Sequence, residues 1–365
     1  MNNKLKIGIA AAVIAAVIAT SIPLALNQQA PPQTSAETGN DTSNAPVAAS
    51  EQKVLRIGYF PNINHAQAVI GLGNGDFQKA LGSNVEVKPQ VFNAGPSAIN
   101  ALFANQVDVA YVGPNPAING YVQSEGRSLR IISGAASAGA VFVVRNDAGI
   151  NSPADFAGKK FASPQLGNTQ DVALRSYLLA NGYKTRENVG NVEVKPANNP
   201  DIVTLMIKKE IDGAWVPEPW GAKLVKDANA KILVDERTLW PNGEFVTANI
   251  IAKTDYLEKN PDVIKKLLEA NIDETNWINS HPDEARAAFN TQLKKLTGKI
   301  IPEDEFKDAL SRLTLTWDPL KSSLFKSADD AFRLGFLKEK PDLSSIYDLK
   351  ILNEVLKGRG LAEIQ

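Results

Sequence analysis
The chain has 365 residues, 44 % hydrophobic and 22 % charged, with a net charge of −1 and no cysteine. That length exceeds a single core and predicts two lobes of an ordinary globular protein. The composition excludes disulfides, thiolate metal sites, cysteine nucleophiles, a lipid-bearing cysteine and a basic field for nucleic acid.

Lys4 and Lys6 precede an uncharged run over 7–26 rich in Ala, Ile and Val. This is the form of an export signal, and its 20 residues also suffice to span a bilayer. No clean small-x-small cleavage site follows, so 1–26 is expected to be a signal peptide or an uncleaved membrane anchor. Residues 27–53 are Gln, Pro, Thr, Ser, Ala, Gly and Asn with almost no large apolar side chain. Such a segment buries too little surface to offset its ordering entropy and reads as a disordered linker.

The folded body begins with a strand over 54–60, then a helix over 64–81 that the glycines 71, 73 and 75 terminate. A strand over 85–91 leads to the central stretch, 91–120. Here two apolar pieces, 91–92 and 107–112, each run into a Gly-Pro turn and a helix. Pro96 and Pro114 fall where a helix's first turn tolerates proline. Gly95 and Gly113 let the backbone approach whatever lies above. Two helix N-termini with free N–H donors make a receptor for an anionic or strongly polar small molecule. A strand over 129–133 follows. The small-residue run 133–140 reads as a flexible hinge before a strand over 141–145.

A second α/β alternation comes next. Its pieces are a short capped helix near 151–156, strands at 159–162, 192–195, 212–216 and 231–234, and helices at 169–181, 200–208 and 220–226. A return strand over 244–253 precedes a helical remainder: 261–280, 282–296, 302–313 and 349–356. Alternating strands and helices predict mostly parallel sheets, with ligands beyond the strands' carboxyl ends.

Five pieces in order carry a family resemblance: Ile57-Gly-Tyr-Phe-Pro, Asn93-Ala-Gly-Pro-Ser, Val107-Asp-Val-Ala-Tyr-Val-Gly-Pro-Asn-Pro-Ala, Ser163-Pro-Gln-Leu-Gly-Asn-Thr and Ile211-Asp-Gly-Ala-Trp-Val-Pro-Glu-Pro-Trp. With them, 54–356 resembles the extracytoplasmic substrate-binding proteins of ABC importers in the aliphatic sulfonate, taurine and nitrate group. The resemblance implies an α/β, two-lobed type II periplasmic-binding-protein fold with two crossover strands, near 137–144 and 245–251. A helical C-terminal extension packs on lobe one. Lobe one would be 54–138 with 247–365, and lobe two 139–246. It also implies anion contacts at Gly95, Pro96, Ser97, Gly113, Pro114 and Asn115, with Asn168, Thr169, Glu218 and Trp220 opposite and Ser137 at the crossover. The lipid-bearing cysteine of many bacterial relatives is missing here.

Each contact has a plainer alternative. Ser97 and Asn115 sit where helix caps sit. Tyr59, Asn62 and His65 flank the first strand's end as ligand contacts or packed loop residues. Trp220 either stacks on an aliphatic ligand or walls the cleft. Glu218 either faces solvent or pairs with a lysine such as Lys223, or it meets a ligand ammonium, which would suit a zwitterion such as taurine. His65 and His281 are too isolated for a metal site, and no cofactor is expected. The expected function is an extracytoplasmic solute receptor, monomeric, that hands a small oxyanion to an ABC permease and its ATPase. It would have no nucleic-acid partner, and would touch the membrane through the N-terminal segment. The alternatives are a sensor without transport, or an enzyme like thiamine-pyrimidine synthase, which the missing cysteines disfavour.

Overall fold
The structure is a computed structural model that describes residues 52–365. The expectations for 1–26, and for 27–53 up to residue 51, lie outside the described residues. Among those described, no helix is long and apolar enough to cross a membrane.

In chain order the first half-lobe comprises β1 (Lys53–Tyr59), α1 (Ala66–Asn74), α2 (Asp76–Leu81), β2 (Val85–Val91), α3 (Gly95–Phe103), β3 (Val109–Val112), α4 (Pro114–Gln123) and β4 (Leu129–Ala138). The second lobe follows with β5 (Ala140–Arg145), β6 (Lys160–Pro164), α5 (Thr169–Ala180), β7 (Glu193–Ala197), α6 (Asn199–Ile207), β8 (Gly213–Pro217), α7 (Trp220–Asp227) and β9 (Ala230–Asp235). The chain then returns through β10 (Val246–Lys253), α8 (Thr254–Lys259), α9 (Pro261–Ser280), α10 (Pro282–Thr297), α11 (Glu303–Leu310), β11 (Leu313–Leu315), α12 (Lys321–Arg333) and α13 (Lys350–Gly358).

Two sheets result, a six-stranded one in the order β11-β4-β10-β3-β1-β2 and a five-stranded one in the order β7-β6-β8-β5-β9. Both are mixed sheets, not the mostly parallel ones that the alternation predicted, although most strands in each run the same way. In the first, β1 pairs in parallel with β2 and β3, while β10 is antiparallel to β3 and β4 and β11 to β4. In the second, β6 is parallel to β7 and β8, and β5 is antiparallel to β8 and β9. Apolar side chains alternate to both faces of each sheet, so helices must cover both. On the larger sheet, α1, α2, α9, α10 and α13 pack on one face, around Leu55, Ile57, Phe77 and Phe289. The other face meets α3, α4 and α12 around Leu102, Ile118 and Leu324. The smaller sheet buries an aromatic cluster under α5, in which Phe142 stacks on Trp215 at 5.3 Å and meets Phe161 edge-on at 5.0 Å. Such ring pairs contribute about 0.5–1.5 kcal/mol beyond area burial.

Three other expectations change. The helix over 64–81 is broken at Gly75, whose φ of +84° ends α1. Gly71 and Gly73 serve close packing instead, since a Cβ on them would lie 2.4 Å from the Phe77 ring and 2.3 Å from Gln292. The run 133–140 is no flexible hinge: through Ala138 it is buried strand, paired with β10 and β11. Its small residues are there because the chain passes so close; a Cβ on Gly134 would lie 2.1 Å from the Asp318 carbonyl oxygen. Finally, the C-terminal region is not wholly helical, because β11 adds an edge strand to lobe one, and α12 stands where no helix was expected.

Candidate functional site
The carboxyl ends of the parallel strands in the two lobes face one another, and the turns leaving them converge on one cavity. From lobe one come Phe60, Asn62, Asn64 and His65 after β1, Asn93 and Ala94 after β2, and Gly113 after β3. Lobe two contributes Pro164 at the end of β6, Asn168 before α5, Thr169 and Gln170 at the start of α5, Asn199 at the start of α6, and Pro217 at the end of β8; Thr247 lies on β10. Four helices, α3, α4, α5 and α6, begin here, and at none of them does a side chain cap the first turn. Their leading N–H groups and dipoles are thus offered to the cavity.

The lobes are closed on this space, which measures about 20 Å³, room for roughly one water. Thr169 of lobe two docks straight over Gly113: a Cβ on Gly113 would lie 2.1 Å from Thr169 Oγ1. This is the close approach that the second Gly-Pro turn requires. At Gly95 the corresponding clash is with Pro116, at 2.2 Å, with Asn168 Oδ1 3.2 Å away. Around the rim, Trp220 Nε1 donates to Asn62 Oδ1 (2.8 Å), Gln165 Nε2 donates to Ser97 Oγ (3.2 Å) and Asn119 Nδ2 donates to the Gly167 carbonyl (3.4 Å).

Two properties decide what the cavity can do. Among its lining residues none is Lys, Arg, Asp or Glu. The one titratable group, His65, is held neutral, because burial drives its pKa down to about 3. Its Nδ1 accepts the Phe60 N–H (3.2 Å), leaving the ring proton on Nε2 as a donor. Secondly, Asn64 Oδ1, Thr169 Oγ1 and Asn199 Oδ1 are buried without a hydrogen-bond partner. Each orphan costs about 1–3 kcal/mol, which a polar guest would recover.

Asp171 organises the lobe-two loop. Fully buried, it accepts from Ser163 Oγ (2.6 Å), the Gly167 N–H (2.9 Å) and Arg175 Nε (3.0 Å). That set fixes Asn168, Thr169 and Gln170 beneath it. The Ser163–Thr169 motif is thus shaped by an acid just beyond it.

Of the residues expected from sequence, the cavity brings together Asn62, His65, Gly113, Asn168 and Thr169. Others are turned elsewhere. Tyr59 belongs to the lobe-one core. Asn115 is buried against α12, its Nδ2 donating to the Ser327 carbonyl (3.2 Å). Ser97 meets Gln165, and Ser137 lines a different groove, with Arg237, Arg312 and Asp318. Pro96 and Pro114 lie within the first turns of α3 and α4. Trp220 walls an outer groove of about 460 Å³ that shares Asn62, Asn93 and Asn199 with the cavity. Glu218 corrects the sequence reading most. Its carboxylate is fully buried and faces Arg312, whose Nε donates to Oε1 at 2.6 Å, while Oε2 accepts the Ala222 N–H. Neither solvent nor Lys223 is its partner; Lys223 pairs with Asp227. Sequence reasoning passed over Asn64, Asn93, Gln170, Asn199 and Thr247; Asn93 and Asn199 carried a signal in position, two residues past the ends of β2 and β7, whereas Asn64, Gln170 and Thr247 carried none.

Against this geometry, residues 48–292 match the model of the NMT1-like family. The chain belongs to that family. The chain is similar to the taurine-binding periplasmic protein of Escherichia coli, 26 % identical and aligned over 65 % of this chain and 71 % of that protein. Among solved structures, the periplasmic nitrate-binding protein NrtA of Synechocystis superposes with a TM-score of 0.71 at 16 % identity, covering 84 % of this chain and 89 % of its own. The alkanesulfonate-binding protein SsuA of Xanthomonas axonopodis, bound to MOPS, does so with a TM-score of 0.65 at 17 % identity, covering 80 % and 96 %. These likenesses show the two-lobed type II periplasmic-binding-protein fold.

Proposed function
We propose that this chain is the extracytoplasmic solute receptor of an ABC importer, binding a small oxyanion of the sulfonate, taurine and nitrate class between lobes that close over it. The observation that carries this reading is the inter-lobe cavity, where four uncapped helix N-termini meet three unpartnered buried polar atoms. Relatives of this chain carry the names taurine-binding, aliphatic sulfonates-binding and nitrate/nitrite binding protein, which supports the ligand class. The ligand-contacting residues would be Asn62, Asn64, His65, Asn168, Thr169, Asn199 and Thr247, with the backbone at Gly113. Lobe one would comprise 54–138 and 247–365, and lobe two 139–246. Closure would follow from the ligand's preference for a shut arrangement somewhat wider than this one, whose cavity of about 20 Å³ holds only a water. Binding without turnover fits a cavity whose one titratable side chain is kept neutral. Release to a permease and its ATPase would complete the cycle, with 1–26 directing export or tethering the protein as a monomer.

The cavity also narrows the ligand. With Glu218 committed to Arg312, a ligand ammonium would find neutral acceptors and no carboxylate, so the oxyanion end carries recognition. Tryptophan fluorescence tests the reading, because the Trp220 indole is bonded to Asn62 at the cavity's edge. Titration with ethanesulfonate, taurine, nitrate and bicarbonate should change emission saturably for at least one; silence to all four would refute the ligand class.

A further inference from the structure
The strand pair that joins the lobes, β4 into β5, turns at Ala138 and Gly139, with φ of +63° and +76°. An alanine in the left-handed region persists where its surroundings hold it there. Here all four backbone polar groups of the dipeptide are bonded. The Ala138 N–H donates to the Phe245 carbonyl (2.8 Å), and Thr247 Oγ1 donates to the Ala138 carbonyl (2.6 Å). The Gly139 N–H donates to the Arg312 carbonyl (2.9 Å), and the Glu218 N–H donates to the Gly139 carbonyl (2.8 Å). The same two residues that grip Gly139 from opposite sides then join through their side chains, Arg312 Nε to Glu218 Oε1 at 2.6 Å. This closes a ring around the pivot.

We propose that the Glu218–Arg312 ion pair is a brace across the inter-lobe pivot, and that Arg312 is a positioning residue that sets how firmly the lobes shut. Arg312 precedes β11, on the six-stranded sheet, whereas Glu218 follows β8, on the five-stranded sheet. The pair therefore spans the lobes. Both side chains are buried, at 8 % and 0 % exposure. The remaining polar atoms are satisfied by Asp308, which accepts from Arg312 Nη1 (2.7 Å) and Nη2, and by the Ala222 N–H. Removing one member strands a buried charge at the joint. The joint also communicates with the cavity. Thr247 and Pro217 line it, the Glu218 carbonyl accepts the Ile63 N–H of lobe one (3.3 Å), and Trp220 holds Asn62. A change in the brace is thus a change in lobe angle at the ligand.

The proposal rests on the reading of this chain as a closing receptor, but its first test needs no ligand. The chain has no cysteine, so Ala104→Cys at the exposed end of α3 and Val189→Cys at an exposed lobe-two turn place one spin label on each lobe. Double electron–electron resonance on the ligand-free protein should show a longer, broader distance distribution in Arg312→Met, and a near-native one in Arg312→Lys. With taurine as probe, Arg312→Met should dissociate at least about tenfold faster, with a smaller change in the association rate. Should Arg312→Met not fold, the neutral pair Glu218→Gln/Arg312→Gln should give the same lengthening without a stranded charge. A native distance distribution in a folded Arg312→Met or in the neutral pair, whatever its melting temperature, overturns the brace. If taurine fails to bind the parent protein, the distance measurement alone decides the brace, and the ligand class falls only if ethanesulfonate, nitrate and bicarbonate are silent too.

Discussion

Replacing Gly113 by alanine adds one methyl group at the point where the two lobes touch. The backbone there has φ −72° and ψ 168°, which any residue adopts, so lobe one should fold unchanged. The added Cβ would lie 2.1 Å from Thr169 Oγ1 and 3.4 Å from the Thr247 carbonyl oxygen. The second contact is ordinary; the first forces Thr169 back by more than an ångström. Rotation of the unpartnered Oγ1 relieves part of this, but the Thr169 Cβ at 3.2 Å stays tight, and Thr169 sits in the first turn of α5 beside the loop anchored on Asp171, so the rest of the retreat comes from lobe separation. Over-packing of this kind costs about 1–3 kcal/mol, a loss of roughly 5- to 150-fold in affinity that falls on the closed state. Isothermal titration with whichever oxyanion binds the parent protein measures it, and thermal melting of the ligand-free variant checks that the fold is intact. Thr169→Ala in the Gly113→Ala background removes the Oγ1 and should restore much of the lost affinity. Native affinity in Gly113→Ala, or a double variant no better than the single one, would refute the docking of Thr169 on Gly113.

Other consequences are more local. Asp171→Asn removes the charge that faces Arg175, leaving the buried guanidinium with Glu187. Stability should fall by about 3 kcal/mol in urea unfolding, near the lower end for a broken buried pair, and ligand affinity should fall with it. The buried Glu236 carboxyl, which accepts from Trp215 Nε1 (2.6 Å) and Trp240 Nε1 (3.2 Å), is pushed up to about 7 by burial. A carboxyl raised on folding stabilises fully below its unfolded value and loses that contribution as pH rises through its folded one. Between about pH 4.5 and 7 this amounts to about 3 kcal/mol, which Glu236→Gln should flatten in melts across that range. His65 runs the other way. Lowered to about 3, it contributes above its unfolded value near 6.5, and that contribution is lost as pH falls toward 3. His65→Gln should therefore lose less stability on acidification than the parent.

How far the sequence could be read depended on whether the physics was local. Gly95-Pro96 and Gly113-Pro114 announced two helix starts at strand ends because proline and glycine act within a turn. The two α/β series followed from apolar periodicity. What stayed hidden was set by distant partners. Glu218 is 94 residues from Arg312, and nothing around Glu218 distinguishes a pivot brace from a ligand contact. The run 133–140 has the composition of a linker, and only the chain crossing at Asp318 explains why those residues must be small. Asn115 looked like a cap and turned out to be clamped by α12, a helix with no sequence signal strong enough to place it. Asn64 and Asn199 are ordinary asparagines until the fold sets their oxygens, unpartnered, at the same cavity.

The central claim is that uncharged donors between the lobes recognise an oxyanion with no help from a carboxylate. Calorimetric titration of the purified protein with ethanesulfonate and taurine in parallel tests it most directly. Ethanesulfonate should bind at one site at least as tightly as taurine; taurine binding with ethanesulfonate rejected would contradict it.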